Sequence, residues 1–509
     1  MRRLLLALLL VLAAAAVPAA AGGVTDPRGV QQQVSGAPAI TGSGPACTQH
    51  LLVHDFFNSY YKPGLATYTP ACAGPWSKVV LSLTGQVSGV QFDRTLAVFM
   101  GGSLLLRGTT SEPCCTPGTD STVRWTVQRD VTNLSALLTS EQPVAMELDN
   151  VNNDQYTGIY HVVVDLTFYR GTAPTTPSWI SSVNPDKPGA LYEVNKPGMT
   201  VGATIHPPRS LTRLTAQLFA DGHGPCEEFW WSEPNQCGVG TPFREVAVYL
   251  AGRLAGEAPV YPVVYTGANG PGLWEPIPSP RAWDAKPYEV DLTPFVGTLV
   301  DGKDHTVSVG ILHAVYQPGD YWPVSATLLG YTGTGVSTGA LTKASYGKGS
   351  SSESASGWDY ALSGWVRNAG QTVTTTVTGK GSAAATSTPV TSNDTWGWDQ
   401  STTTVAGGHT TVVKTHSDYG LANLPVAHFA FTDAASTTRT VDGKAGPTQS
   451  YAVTMSTEAV GLAFHGVERE SWTVHDGDAC YRRQLTAVAG QVLGDVVGCD
   501  VPELPDPLV

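Results

Sequence analysis

The chain has 509 residues, 42% hydrophobic and only 14% charged, with a formal net charge of −13. Its length suggests about three domains. So few charges exclude a coiled coil and charge-driven disorder, and the acidic balance gives no sign of a polyanion partner such as DNA or RNA.

Residues 1–21 read as a cleavable signal peptide. Arg2 and Arg3 precede the apolar run Leu4–Leu12, and the small-residue stretch Ala13–Ala21 follows. A membrane anchor needs roughly 20 apolar residues, and no later segment reaches that length. The expected product is secreted and extracellular, with residues 22–45 as a linker. Eight cysteines in an exported chain favour disulfides over thiol chemistry. Nearness suggests Cys47–Cys72, Cys226–Cys237 and Cys480–Cys499. The adjacent Cys114 and Cys115 remain, for a vicinal bond or for partners elsewhere. No paired Cys spacing and no HExxH motif occurs, and the 12 His are scattered, so no metal site is indicated.

Strand signals then run almost the length of the chain. Lys78–Thr84, Val123–Val127 and Glu245–Leu250 alternate. In Tyr160–Phe168, Val162, Val164, Leu166 and Phe168 share one face, with His161, Asp165 and Thr167 opposite. A period of two belongs to half-buried antiparallel strands. Gly101-Gly102, Pro117-Gly118, Asp221-Gly222 and Asp301-Gly302 punctuate them as turns. No long helical stripe appears, so the fold class is all-β.

An internal echo sharpens this. Phe92–Gly102 (FDRTLAVFMGG) resembles Phe243–Gly252 (FREVAVYLAG), and Asp130-Val-Thr-Asn-Leu134 resembles Asp291-Leu-Thr-Pro-Phe295, in the same order. We expect two tandem antiparallel jelly-roll-like sandwiches, at 46–172 and 178–334, with Gly171–Pro177 linking them. Residues 335–509 are Thr/Ser/Gly-rich, as in Gln371–Thr378 and Ser450–Met455. Trp365, Trp396, Trp398 and Trp472 favour a packed third β-rich domain there over a disordered stalk.

Three acidic stretches stand out. Asp93 enters a strand shortly after Gly89; Glu147 and Asp149 close an apolar strand; Glu227 and Glu228 follow Asp221-Gly-His-Gly-Pro-Cys226 and precede Phe229-Trp230-Trp231. A carboxylate beside buried aromatics is desolvated and holds or takes a proton near neutral pH. Two carboxylates in different surroundings suffice for hydrolysis by an activated water. Trp230, Trp231, Trp274 and Trp283 offer faces to sugar rings or apolar peptide. By pattern alone the simpler reading has the edge: Asp93 pairs with Arg94 or caps a turn, and Glu227 and Glu228 are solvated. His223, between glycines, reads as a loop residue. No GxSxG elbow supports a serine hydrolase.

At these same residues the chain resembles the peptide-N-glycosidase A family. The resemblance rests on Trp76-Ser-Lys-Val-Val-Leu81, Gly89-Val-Gln-Phe-Asp93-Arg94, Thr110-Ser-Glu112-Pro113, Trp125–Thr132 (WTVQRDVT) and Tyr156-Thr-Gly158-Ile-Tyr160-His161. It continues through Tyr288–Phe295 (YEVDLTPF), Cys480-Tyr-Arg-Arg483 and Ala487–Leu493 (AVAGQVL). A more distant likeness is to the peptide-N-glycosidase F type, two jelly-roll sandwiches with the active site between them. That likeness implies a catalytic role for Asp93, in Phe92-Asp93-Arg94, and for Glu228, in Gly222-His-Gly224-Pro-Cys226-Glu-Glu228-Phe229. It implies a supporting role for Glu147 and substrate contact through Arg281. Glu227 stands where the F type has a small residue, which leaves open which adjacent acid acts; Glu228 is chosen because Phe229 follows it. Cys114-Cys115 departs from the family pattern.

The resemblance implies an amidase cleaving the bond between an asparagine side-chain amide and the first N-acetylglucosamine of an N-glycan. Its partners would be N-glycosylated peptides or glycoproteins, and it needs no metal or organic cofactor. Asp93, Glu228 and Glu147 are the expected catalytic residues. Arg94, Trp230, Trp231, Trp274, Arg281 and Trp283 are expected to touch substrate. A non-catalytic glycan-binding sandwich and a glycoside hydrolase, which also uses paired carboxylates, are the rival readings.

Overall fold

The computed structural model describes residues 30–112, 122–184, 189, 191–224, 227, 244–260, 276–278, 282–312 and 314–333, and the strands of a C-terminal β region between 338 and 498. The proposed signal peptide, Cys114, Cys115, Cys226, Glu228, Trp230, Trp231, Cys237, Trp274, Arg281 and Cys499 lie outside the described residues. The fold is all-β, as expected. Among the described residues the α-helix is a four-residue turn, Val296–Leu299.

The first unit contains β1 Val30–Gln32, β2 Ala46–Phe56, β3 Gly64–Tyr68, β4 Trp76–Ser88, β5 Thr95–Met100, β6 Ser103–Thr109, β7 Thr122–Asp130, β8 Gln142–Leu148 and β9 Ile159–Arg170. They form one sheet of order β1-β7-β4-β9-β2 and a facing sheet of order β3-β8-β5-β6. The second unit contains β10 Trp179–Ser182, β11 Tyr192–Val194, β12 Thr200–Ile205, β13 Leu211–Ala220, β14 Glu245–Leu250, β15 Arg253–Pro259, β16 Tyr288–Asp291, β17 His305–Leu312 and β18 Trp322–Thr332. Its sheets run β10-β18-β13-β16, with β11 also on β18, and β12-β17-β14-β15.

The alternation in the sequence is the alternation of burial. On β9, Tyr160, Val162, Val164, Leu166 and Phe168 are buried while His161, Asp165 and Thr167 face outwards. The inward row joins Leu81, Leu83 and Trp125 in one apolar core. A separate core in the second unit gathers Leu218, Val248, Val309 and Trp322. Each such side chain contributes roughly 1.5–3 kcal/mol on burial, and truncating Leu166 to Ala would cost about 2–5 kcal/mol. Cys47 and Cys72 are disulfide-bonded.

The echo in the sequence is a structural repeat. The order β7-β4-β9-β2 is matched by β16-β13-β18-β10, and β3-β8-β5-β6 by β12-β17-β14-β15. The hairpins β5–β6 and β14–β15 slip register at corresponding places, between Val98 and Phe99 and between Val248 and Tyr249. Thr132 takes a hydrogen bond from the Val79 N–H (2.9 Å), and Thr293 takes one from Leu214 (3.2 Å), so each copy braces the neighbouring strand with a threonine hydroxyl.

Strands β5 and β6 do not alternate: all but Thr95 are buried. Both faces of their sheet are covered, which gives a continuous apolar run. One face holds the first core. On the other, Ala97, Phe99, Leu104 and Ala145 pack against Phe219 from β13. Residues 282–285 also run along β6: Thr109 N–H donates to Ala282 O (2.6 Å) and Ala285 N–H to Arg107 O (2.8 Å).

Ten further strands, from Thr338–Tyr346 to Gln491–Gly498, form a C-terminal sheet, and the Thr-rich stretches lie on strands of this region. It touches the N-terminal segment where Gly36 N–H donates to Glu470 Oε1 (3.1 Å) and Arg483 Nη1 to Ser35 O (3.2 Å).

Candidate active site

Asp93 lies in a four-residue loop, Gln91–Arg94, and β5 begins only at Thr95. Sequence reading placed the acid inside the strand; the loop instead turns around Gln91. Gln91 is buried, and its amide donates to Val151 O (3.0 Å) and Gly158 O (3.2 Å). Its carbonyl oxygen accepts from Phe92 N–H (3.0 Å) and from the Arg94 guanidinium. Beyond Asp93, Arg94 N–H donates to Thr110 Oγ1 (2.9 Å) and Thr110 N–H to Arg94 O (2.8 Å), extending the β5–β6 pairing.

Tyr160 closes the loop from beneath. Its hydroxyl donates to Phe92 O (2.5 Å) and accepts from Thr110 Oγ1 (3.1 Å). Complete burial pushes its pKa far above the ordinary 10, and the negative charges of Asp93 and Glu112 push the same way. The phenol therefore stays a neutral donor. The Arg94 guanidinium stands over the Phe92 ring (5.9 Å) and the Tyr156 ring (5.7 Å), so its position is fixed by two aromatic faces as well as by Gln91.

Glu147, on β8, pairs across the sheet with Ala97, which in turn pairs with Arg107 on β6. The row Glu147–Ala97–Arg107 lies on the face turned towards the second unit, because Ala97 packs there with Phe219. One row further towards the Asp93 loop, Asp149 N–H reaches Thr95 O (3.4 Å). Asp93, Glu147 and Asp149 are thus carried on neighbouring strand ends of one sheet.

Arg107 joins the two units. Its Nε and Nη2 grip Asp221 of the segment after β13 at 3.2 and 2.9 Å, with both side chains only 6–7% exposed. His223 Nε2 lies 2.7 Å from the same carboxylate, and its ring stacks on Tyr321 at 5.3 Å. Burial alone raises the Asp221 pKa, but Arg107 and His223 together outweigh it and hold this carboxyl well below the usual range. The glycines around His223 are obligatory. A Cβ at Gly222 would lie 2.3 Å from Glu227 O, and Gly224, at φ +115°, would push one to 2.5 Å from Asp320.

Glu227 is wholly buried, with both oxygens engaged. Oε1 accepts from Arg244 Nη2 (2.8 Å) and Val315 N–H (2.7 Å), and Oε2 from Arg244 Nε (2.8 Å) and Trp322 Nε1 (2.9 Å). It is a fully paired buried acid, not a solvated surface one. Trp283 also differs from expectation. It is 5% exposed and belongs to the first core, so it has no open face for a sugar. Gln91, Thr110, Glu112, Tyr160 and Arg107 were not singled out as site residues from sequence. Among the described residues no group of three or more His, Cys, Asp or Glu is gathered so as to hold a metal ion.

The fold and this site define a duplicated β-sandwich protein that presents acids and an aromatic-flanked arginine beside a loop pinned from the second unit. The chain belongs to the family described as peptide N-acetyl-beta-D-glucosaminyl asparaginase amidase A, which matches residues 30–347. It is 33% identical over 315 residues to a Prunus dulcis protein named peptide-N4-(N-acetyl-beta-glucosaminyl)asparagine amidase A, covering 55% of this chain and 53% of the relative. The chain thus spans about half the length of that curated relative. Solved structures similar to it include PNGF-II (15% identity, TM-score 0.40, covering 57% of this chain and 66% of the other). Another is PNGase F of Flavobacterium meningosepticum (12% identity, TM-score 0.37, covering 58% and 98%).

Proposed function

We propose that this protein is a secreted amidase that releases N-linked glycans by hydrolysing the bond between the asparagine side-chain amide and the first N-acetylglucosamine. Water adds to the side-chain carbonyl carbon and the carbon–nitrogen bond breaks. The nitrogen leaves on the sugar as a glycosylamine, and the peptide keeps aspartate. Asp93 engages the amide or its attacking water as the principal acid/base, and Glu228 positions or polarises a second water. Glu147, Arg94 and Arg281 hold the sugar core, flanked by Trp230, Trp231 and Trp274. The substrates are N-glycosylated peptides or glycoproteins.

Family membership over residues 30–347 supports the reaction class. The observation that carries the reading is the Arg107–Asp221 grip, which holds the Asp221–Gly224 segment, a few residues before Glu228 in the chain, against the sheet whose end bears Asp93 and Glu147. Full engagement of Glu227 supports Glu228 as the reacting acid of that pair. Export is supported by the signal-peptide pattern of residues 1–21 and by the Cys47–Cys72 bond.

The test is incubation with a glycopeptide followed by mass spectrometry of both products. An amidase leaves aspartate in the peptide. A glycoside hydrolase leaves a sugar on asparagine, and a binding protein leaves the substrate intact. Asp93→Asn should lower the rate by about 10²-fold or more with an unaltered melting profile, and full activity of that variant removes Asp93 from its assigned role.

A further inference from the structure

The loop between β2 and β3, residues 57–63, displays three large rings to solvent: Phe57 is 55% exposed, Tyr60 45% and Tyr61 76%. The display is rigid. Ser59 N–H donates to Asn150 O (3.0 Å), Ser59 Oγ to Leu148 O (2.5 Å), and the Asn150 amide to Phe56 O and Phe57 O (2.9 and 2.8 Å). The Asp149 carboxylate accepts from Tyr61 N–H (3.1 Å), which ties the loop to the strand end that follows Glu147.

Tyr61 adopts φ +56°, a left-handed conformation that a residue with a Cβ enters only at a cost. Glycine or asparagine would sit there more comfortably, and a ring this exposed adds nothing to either core. The strain therefore points to use rather than to folding. Tyr60 and Tyr61 meet edge to face with centroids 4.6 Å apart and an interplanar angle of 83°. Each ring fixes the other and leaves an open aromatic face. The charges of Asp149 and Arg94 are both felt at Tyr60, and the Arg94 guanidinium stands over the Phe92–Tyr156 pair, 5.0 Å between centroids.

We propose that Tyr60 and Tyr61 form a carbohydrate shelf on which a sugar ring beyond the one bonded to asparagine is stacked. The chemistry favours sugar over other occupants. Open ring faces suit the C–H face of a pyranose, while Asp149 and Arg94 suit its hydroxyls. An apolar peptide side chain would call for an enclosed pocket, and phosphate-bearing ligands would meet Asp93, Glu147 and Asp149. The loop is held before any ligand arrives, so ordering it costs little on binding. This inference rests on the reading of the Asp93 region as a glycan amidase site.

The experiment compares one peptide whose asparagine carries either a single N-acetylglucosamine or a branched N-glycan, in the wild type, Tyr61→Gly and Tyr60→Ala. Glycine at 61 removes the ring and relieves the backbone strain, so loss of fold does not confound the result. The ratio of kcat/KM for the long glycan over the single sugar should fall on the order of 5-fold, carried by KM. An unaltered ratio overturns the shelf. Titration of the free branched oligosaccharide by calorimetry separates this claim from the reaction. Weaker binding in Tyr61→Gly without any release by the wild type keeps the shelf and removes the amidase. Release with wild-type binding and ratio in both variants keeps the amidase and removes the shelf.

Discussion

At the scale of single residues, the two neighbouring glutamates of the second unit have separable tasks under the proposed function. Glu227 is a buried carboxylate with a bidentate arginine, an indole N–H and a backbone N–H. Removing one partner of such a pair leaves an uncompensated buried charge and costs about 3–5 kcal/mol. Glu227→Gln should therefore lower the melting temperature by several degrees, because Arg244 stays buried without its counter-charge. Glu228→Gln should abolish glycan release at an unaltered melting temperature. Thermal unfolding and product analysis of both variants decide the matter, and the opposite pattern would exchange their roles. Tyr316 senses the same carboxylate: burial first, and then the Glu227 charge, push its phenol pKa far above normal. The pair of acids was legible in the sequence and the resemblance favoured Glu228, but the burial of Glu227 was not legible. Nothing local marks Arg244, Val315 and Trp322 as partners of Glu227, since they come from β14's leading edge and from the chain before and within β18.

At the scale of elements, alternation made β4, β7 and β9 legible. Glu245–Leu250 is a strand as expected, but it is buried on both faces rather than alternating, and the hairpin it opens repeats the Gly turn and register slip of β5–β6. The docking of the units was not. Strand β6 reads Ser-Leu-Leu-Leu-Arg-Gly-Thr, and the carboxylate that Arg107 grips, Asp221, is 114 residues away in the chain. Trp283 was mistaken for a binding residue for a related reason, because an aromatic in a polar-looking loop carries no sign of the core that receives it. The Arg107–Asp221 pair allows a prediction at this scale. Arg107→Met preserves length and apolar character but frees the Asp221–Gly224 segment from the first unit. Glycan release should fall by at least ~10-fold through kcat as the loop loses its placement, beyond the stability cost of about 3–5 kcal/mol. Arg107→Lys, which keeps the charge without the fork, should recover part of the kcat. Kinetics well below the melting temperature of each variant check it, and wild-type kcat in Arg107→Met would show the grip to be structural only.

At the scale of the molecule, the joint between the two sandwiches includes an apolar patch around Phe219 with two buried ion pairs beside it, Arg107–Asp221 and Arg129–Asp284, the Arg129 guanidinium lying 5.1 Å over the Phe219 ring. Hydrophobic contact is indifferent to pH, so acid sensitivity of the joint belongs to its ion pairs, and Asp221 supplies the carboxylate of one of them, the bridge to Arg107. The folded Asp221 carboxyl is held below the ordinary value of 3.8, as Arg107 and His223 prevail over desolvation. Above that value the carboxylate is ionised in both folded and unfolded chains, and the full contribution of the bridge is present. As pH drops below 3.8, the unfolded chain takes up the proton first, and stability is lost progressively towards the folded pKa. Asp221→Asn has no such proton to take up. The stability difference between wild type and Asp221→Asn should therefore be greatest and flat near neutrality, and should shrink as pH falls through the acid range. Denaturant unfolding of both proteins between about pH 2.5 and 7 measures this difference directly. A gap that stays constant to the lowest pH would mean that the bridge forms without the charge assigned to it, leaving the Phe219 patch, the Arg129–Asp284 pair and the backbone bonds of residues 282–285 to hold the sandwiches together.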